Sequence, residues 1–220
     1  MDGLLLIDKP VDWTSHDVVA KVRGVLSKEA GQKVKVGHIG TLDPAATGLL
    51  VLVVGKYTKK VPEFMKLDKV YKVEMTLGKT STTQDREGEI TETNQPIPDE
   101  ETVKEKVNTF VGEIEQIPPA HSAIKINGKR AYKLAREGVE VKIEPRQVTI
   151  YSIDDIQVTG DKVTFTTKVS SGTYIRSLVR DMGEKLGCGA YMSALRRTQI
   201  GDWHVGKAVA PTKELVVVTE

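Results

Sequence analysis

Residues 36–55 read VGHIGTLDPAATGLLVLVVG, a loop with two early glycines that runs into an apolar segment. The apolar segment, Leu49 to Val54, has the length of one buried strand. The loop before it holds His38 and Asp43 close together on a backbone loosened by glycine, which allows close approach to a ligand. This stretch predicts a core strand preceded by a loop with candidate functional residues.

A purely structural interpretation of the same loop also exists. Asp43 is a good N-cap residue, and Pro44 suits the first position of a short helix. The residues of the loop alone leave both interpretations open.

Regular structure is predicted on both sides of this stretch. Strands are predicted at 3–8, 70–77, 148–158 and 162–170. Helices are predicted after an N-cap at Ser15, from Asp99 onward, at Ala131–Glu137, and at Ile175–Leu186 with Gly187 as its stop. Strands outnumber helices without strict alternation, which predicts an α+β fold with a central mixed, mostly antiparallel sheet and flanking helices.

Alternation in 70–77 predicts which side chains of that strand are buried. Tyr71, Val73, Met75 and Leu77 share one face, while the residues between them are mostly polar. We therefore expect the Tyr71 side chain to point to the interior.

Charge is unevenly distributed along the 220 residues, although the formal net charge is only +2. Residues 85–115 have a local balance of −7, whereas 119–150 and 161–207 each have +4. The basic stretches are suited to a polyanion. Ordinary solvated faces would give the same pattern.

The composition excludes several classes. The chain has one cysteine and no apolar run long enough to span a bilayer, and its first residues lead us to expect no secretory leader. It shows no phosphate loop, dinucleotide fingerprint or metal-ligand cluster. We expect a cytoplasmic protein with no cofactor, no metal and no membrane association.

Three further segments attract attention. SSGTYIR (170–176) places Tyr174 and Arg176 where a strand leads into a helix, PPAHSAIK (118–125) is a rigid turn before basic sequence, and STTQDREG (81–88) places Asp85 ahead of a glycine. Taken alone, each is better explained by packing or by a turn.

Taken together, the motifs resemble the TruB family of tRNA pseudouridine synthases. They are DKPVDWTS (8–15), VGHIGTLDPAATG (36–48), VYK (70–72), STTQDREG (81–88), QIPPAHSAIK (116–125), SSGTYIRSL (170–178) and LRRT (195–198). They follow the order of that family over about 1–210, and the second and sixth are very specific.

The resemblance implies the pseudouridine synthase fold, tRNA as partner and a role for each site residue. Asp43 matches the catalytic aspartate, Arg176 the arginine that pairs with it, and Tyr71 the tyrosine that stacks on the target base and is a candidate proton acceptor. His38 matches the histidine that fills the stack of the extruded nucleotide. Asp85, Tyr174 and Leu195 match positions that line the uracil pocket.

The resemblance also suggests a domain organisation. We expect one catalytic domain over 1–220, with a basic inserted segment at about 119–147 that clamps RNA phosphates, and a monomer without an obligatory protein partner. The residues predicted to contact the RNA backbone are Lys125, Lys129, Arg130, Arg136 and Arg146. The chain stops at Glu220, so a C-terminal RNA-binding (PUA) module of the family is expected to be absent.

Some positions depart from the family pattern. Ile39 stands where threonine or glycine is usual, His121 replaces an aromatic residue, and Asp12 replaces a common glycine. These departures concern loop detail and leave the catalytic set intact.

Three other functions remain to be weighed against this one. A non-catalytic RNA-folding protein would not need the Asp43 carboxylate, and a nucleoside hydrolase would release free uracil. A guide-RNA-dependent synthase is less favoured, because the chain resembles the stand-alone branch and lacks a lysine-rich tail.

Overall fold

The structure is a computed structural model that describes residues 1–120, 122, 125–126, 129–131 and 143–211. The strands are β1 Gly3–Lys9, β2 Val36–His38, β3 Thr47–Val54, β4 Lys69–Leu77, β5 Lys79–Ser81, β6 Ile90–Glu92, β7 Gly112–Gln116, β8 Lys125–Ile126, β9 Lys129–Arg130, β10 Arg146–Thr159, β11 Lys162–Val169, β12 Ala190–Ile200 and β13 Trp203–His204. The helices are α1 Ser15–Glu29, α2 Val61–Phe64, α3 Glu100–Asn108 and α4 Ile175–Leu186, with 3₁₀ turns at Gly55–Lys60 and Val205–Lys207.

The chain divides into two compact units. Unit 1 comprises Met1–Lys72 and Leu195–Glu220, and unit 2 comprises Val73–Ala194. Both units combine helices with β structure, which confirms the predicted α+β class.

The core of unit 1 is built around β3. Its residues Leu49 to Val54 are fully buried, and the strand pairs antiparallel with β1 from Gly48 to Val54. Leu50, Leu52 and Val54 face the apolar side of α1, whereas Leu49, Val51 and Val53 face a second cluster that includes Ile39, Phe64 and Ile200. Burial on both faces explains why this strand is an unbroken apolar run.

Two further strands pair with β3. β2 pairs with it antiparallel, and the unit 1 part of β12 pairs with it in parallel, with Arg196 opposite Thr47 and Arg197 opposite Gly48. The sheet is therefore mixed and mostly antiparallel, as predicted. The loop between β2 and β3, residues 39–46, carries Asp43.

Unit 2 contains the long hairpin of β10 and β11, with β7 paired antiparallel to the first residues of β10. The helix α4 has the predicted bounds, and Gly187 ends it with a left-handed φ of 82°. A helix is predicted from Asp99 onward, and Asp99 is the N-cap of α3, whose buried side is formed by Val103 and Val107.

Two predictions of local structure are corrected. The N-cap of α1 is Thr14, because its hydroxyl accepts from the Asp17 amide while the Asp17 carboxylate accepts from the Thr14 amide. Ser15 is the first helical residue instead. Pro44 does not begin a helix: residues 44–45 form a turn, and β3 follows at Thr47.

Most of the predicted basic insertion lies outside the described residues, including Arg136 and nearly all of the helix predicted at Ala131–Glu137. Lys125, Lys129 and Arg130 lie in the small hairpin of β8 and β9. Arg146 is exposed at the start of β10. The single catalytic domain and the clamping role of the insertion stay predictions.

Candidate active site

Asp43 lies half-buried at a tight turn in unit 1. Its carbonyl accepts a hydrogen bond from the Ala46 amide at 3.1 Å, which closes the turn over Pro44 and Ala45. The proline fixes one backbone angle at the turn. The carboxylate is therefore carried by a short, well-defined turn.

The backbone on the N-terminal side of Asp43 is held by two buried side chains. The Arg197 guanidinium, 1% exposed, donates to the Gly40 carbonyl at 3.0 Å and to the Thr41 carbonyl at 3.5 Å. The Ser15 hydroxyl accepts from the Leu42 amide at 2.8 Å and donates to the Leu42 carbonyl at 2.9 Å. Three consecutive residues before Asp43 are thus fixed.

The backbone on the C-terminal side is held through Pro44. Its carbonyl accepts from the Lys9 ammonium at 3.2 Å and from the Asp12 amide at 2.9 Å. Lys9 is fully buried and also donates to the carbonyls of Pro10 and Trp13. The DKPVDW segment is therefore joined to the Asp43 turn, with a positive charge next to it.

His38 ends β2 and its imidazole Nδ1 accepts from the Gly40 amide at 3.3 Å. Burial lowers the pKa of His38 below its usual 6.5, and electrostatic interactions with Arg197 and His16 lower it further. His38 is therefore held as a neutral ring with its proton on Nε2. A neutral ring is suited to stacking against bases.

Tyr71 lies in the part of β4 that belongs to unit 1 and is 7% exposed. The neighbouring Val73, Met75 and Leu77 are also buried, which confirms the predicted inward face. Leu195, in β12, is half-buried, and its carbonyl accepts from the Thr47 hydroxyl at 3.4 Å.

Unit 2 holds Asp85 and Arg176 as a buried ion pair. Arg176 Nη1 lies 3.3 Å from Asp85 Oδ2, and the two side chains are 6% and 2% exposed. The same Nη1 donates to the Thr83 carbonyl at 3.0 Å. Asp85 also accepts from the Thr83 hydroxyl and from the Glu87 amide.

Tyr174 stands at the N-cap of α4 and is held through its backbone. The buried Gln116 side-chain amide accepts from the Tyr174 amide at 2.8 Å and donates to the Tyr174 carbonyl at 3.1 Å. Gln116 is 1% exposed. A glutamine at the end of β7 therefore fixes the entrance of α4, one residue before Ile175.

The structure places Asp43, His38, Tyr71 and Leu195 in unit 1 and Asp85, Tyr174 and Arg176 in unit 2. It brings Asp85 into contact with Arg176 and places His38 against the Asp43 loop through Gly40. The predicted pairing of Arg176 with Asp43 stays a prediction.

Sequence reasoning missed three supporting residues: Ser15, Arg197 and Gln116. Each lies inside a recognised motif, but its partners are distant in the chain. For Arg197 and Gln116 the sequence holds one signal of a supporting role: each is a polar side chain in an otherwise apolar or turn-rich segment.

The described residues offer neither a metal site nor a membrane-spanning helix. They contain no group of three histidine, cysteine or carboxylate side chains arranged to hold a metal ion. None of their helices is both long enough and apolar enough to cross a membrane.

Comparison with protein families gives two adjoining matches. Residues 28–175 match the N-terminal domain model of the TruB family pseudouridylate synthases. Residues 176–215 match the model of the tRNA pseudouridylate synthase B C-terminal domain.

Curated relatives agree with these matches. The tRNA pseudouridine synthase B of Dechloromonas aromatica is 47% identical over 209 residues, which are 95% of this chain and 68% of that protein. The protein of the same name from Clostridium kluyveri is 44% identical over 96% of this chain and 71% of its own length.

Solved structures share the fold. A chain in the crystal structure of a Cbf5-Nop10-Gar1 complex superimposes with a TM-score of 0.69 at 33% identity, covering 92% of this chain. A chain in an H/ACA RNP bound to a substrate RNA containing 2'-deoxyuridine gives 0.65 at 30% identity. This chain spans about half the length of each of those two chains.

Proposed function

The chain belongs to the TruB family of pseudouridylate synthases, and on that premise we propose that it isomerises the T-loop uridine of tRNA, position 55, to pseudouridine. The observation that carries the proposal is the Asp43 turn. Its backbone is fixed on both sides by Arg197, Ser15 and Lys9. Such a turn holds one carboxylate in a defined place, as catalysis at a single bond requires.

The reaction breaks the bond between ribose and uracil N1, rotates the uracil and rejoins the ring through C5. The C5 proton is lost, N1 regains a proton, and nothing is oxidised or reduced. We therefore propose that the protein's own side chains are sufficient and that no cofactor takes part.

Asp43 is the catalytic carboxylate in this proposal. Direct attack as a nucleophile and assistance to elimination through a glycal both require it to be ionised in a pocket with little water. In this proposal the Arg176 guanidinium pairs with Asp43 and so favours the ionised form that burial disfavours. A guanidinium has five N–H donors, so an ion pair with Asp85 is compatible with a second carboxylate.

The target uridine leaves its stack to reach Asp43. Extrusion costs a few kcal/mol, and less from a loop than from a duplex. Stacking on Tyr71 and occupation of the vacated space by neutral His38 offset this cost by roughly 1–3 kcal/mol per contact. In this proposal Tyr71 is also the candidate base that removes the C5 proton.

The remaining site residues bind the base and the RNA. Asp85, Tyr174 and Leu195 line the uracil pocket in this proposal. The phosphates of the T-arm are bound by Lys125, Lys129, Arg130, Arg136 and Arg146, so that affinity falls as salt rises. We propose that the protein acts as a monomer in the cytoplasm, without an obligatory protein partner.

The test is an unmodified tRNA transcript with tritium on uridine C5, incubated without added cofactor. Isomerisation releases tritium to water, and a matched transcript with cytidine in place of the T-loop uridine releases none from that position. No release from either transcript, with intact tRNA binding, would instead support a non-catalytic RNA-binding protein.

The same reaction distinguishes the hydrolase. A hydrolase liberates free uracil and leaves an abasic site, whereas an isomerase keeps the base attached to the chain. Activity on free tRNA alone also argues against a guide-dependent synthase. In agreement, the chain is 42–47% identical to proteins named tRNA pseudouridine synthase B, and 33% or less identical to the chains of the Cbf5-Nop10-Gar1 and H/ACA RNP structures.

A further inference from the structure

Ser15 is buried at the start of α1, where its hydroxyl is not needed for the cap. Thr14 is the N-cap, and its own side chain satisfies the exposed amide of Asp17. Ser15 is 3% exposed and points away from that cap toward the loop between β2 and β3. The hydroxyl is therefore committed to a tertiary contact.

That contact involves both polar backbone atoms of Leu42. Ser15 Oγ accepts from the Leu42 amide at 2.8 Å and donates to the Leu42 carbonyl at 2.9 Å. The carbonyl belongs to the peptide bond that joins Leu42 to Asp43. One hydroxyl thus sets the orientation of the peptide plane from which the Asp43 side chain departs.

Few other groups share this task at Leu42. The Leu42 side chain is 3% exposed and anchors the residue in the core. Arg197 holds the carbonyls of the two preceding residues, Gly40 and Thr41, and Lys9 holds that of Pro44. Ser15 holds the peptide bond that leads into Asp43.

We propose that Ser15 is a positioning residue for Asp43, acting through the Leu42 peptide and never touching the substrate. The inference rests on the proposed function, because it assumes that the Asp43 carboxylate does chemistry. Displacement of a reacting group by about 1 Å can reduce the rate about 100-fold. Loss of the Ser15 hydroxyl is expected to lower kcat by about 10- to 100-fold, with little change in KM for tRNA.

The chain offers a matched control on the same helix. Ser27 Oγ accepts from the Val34 amide at 3.0 Å, so it also holds a loop to α1, but at the opposite end of the helix and at a residue that does not adjoin Asp43. Ser27→Ala and Ser15→Ala each remove one hydroxyl from α1. A merely structural role for Ser15 would make the two variants behave alike.

The experiment measures kcat and KM on tRNA transcript for wild type, Ser15→Ala, Ser15→Thr and Ser27→Ala, at a temperature where circular dichroism shows each to be folded. We expect a fall in kcat for Ser15→Ala alone, and recovery in Ser15→Thr, which keeps a hydroxyl. Amide exchange at Leu42 is expected to accelerate in Ser15→Ala and to slow again in Ser15→Thr.

Two results overturn the inference in different ways. Wild-type kcat in a folded Ser15→Ala, or equal losses in Ser15→Ala and Ser27→Ala, would refute the role of Ser15 while leaving the proposed function intact. An inactive wild type would refute the proposed function itself, and the role of Ser15 with it. If Ser15→Ala does not fold, the test rests on Ser15→Thr, which keeps a hydroxyl. A low kcat in this variant, together with slow amide exchange at Leu42, would contradict the inference.

Discussion

The buried guanidinium of Arg197 donates a hydrogen bond to the carbonyl of Gly40, 157 positions earlier in the chain, at 3.0 Å. Its other acceptors are the carbonyls of Thr41 and Leu49. The Arg197 side chain thus connects Leu49, the first residue of the apolar run in β3, to the loop that carries Asp43.

Replacement of Arg197 by lysine is expected to lower the free energy of unfolding by about 2–4 kcal/mol, measured by urea denaturation. An ammonium cannot reproduce the planar fork that meets three carbonyls, and buried acceptors without donors are costly. Arg196→Lys is the control, since Arg196 pairs with Asp8 near the surface at 2.7 Å, where such a pair contributes at most about 1 kcal/mol. Equal losses in the two variants would contradict this account of Arg197.

Any side chain introduced at position 48 is expected to destabilise the folded protein. The φ of Gly48 is +100°, and a Cβ there would lie 2.2 Å from the Arg197 carbonyl oxygen. Gly48→Ala should therefore cost several kcal/mol, more than the roughly 1–2 kcal/mol of a left-handed backbone alone. Gly172→Ala is the matched control, because φ is +86° there and nothing lies within 4 Å of the added carbon. Thermal denaturation with similar midpoints for both would show that the close approach at Gly48 is unimportant.

His38 predicts a dependence of stability on pH. Its pKa in the folded protein lies below 6.5, mainly because of burial, so the folded state disfavours the protonated ring. The unfolded state then binds the proton more readily, and the free energy of unfolding falls as pH drops from 6.5 through the lower folded pKa. Protonation also removes the Nδ1 acceptor used by the Gly40 amide.

Denaturation at several pH values between 5 and 7 checks this expectation. His38→Asn keeps a side-chain acceptor and removes the titrating group, so its profile should be flatter than that of wild type. The exposed His204 provides the control variant His204→Gln. An unchanged slope in His38→Asn would contradict the assignment.

Asp85→Asn is expected to destabilise unit 2 by about 3 kcal/mol, because it removes the carboxylate paired with the buried Arg176 at 3.3 Å. Glu74→Gln breaks the exposed pair with Lys162 and should cost at most about 1 kcal/mol. Urea denaturation of both variants gives the comparison. A loss for Asp85→Asn no larger than that for Glu74→Gln would refute a structural role for the buried pair.

Local signals in the sequence predicted much of the fold. The bounds of α4 were correct because helical periodicity and a left-handed glycine stop are both local features. The inward face of Tyr71 followed from alternation in β4. The N-cap of α1 was wrong by one residue because Thr14 and Ser15 are both good caps, and only the spacing from Thr14 to Asp17 distinguishes them.

The supports of the site could not be predicted in the same way. Ser15 and Leu42 are 27 positions apart, and Gln116 and Tyr174 are 58 apart. Their hydrogen bonds depend on how elements pack, which no local pattern encodes. The turn at Pro44 was missed for a related reason. Because β3 starts at Thr47 and pairs with β1, too few residues lie between Asp43 and the strand to form a helix.

The central claim is that the Asp43 carboxylate performs the isomerisation and does not merely hold the loop. The most direct measurement is the single-turnover rate of pseudouridine formation by Asp43→Asn on tRNA, together with its Kd for the same tRNA and with exposed Asp202→Asn as control. We expect the rate of Asp43→Asn to be lower than that of wild type by on the order of 10⁴-fold, with its Kd within about threefold of wild type. We expect a normal rate for the Asp202→Asn control. A rate in Asp43→Asn above about one tenth of wild type would contradict it.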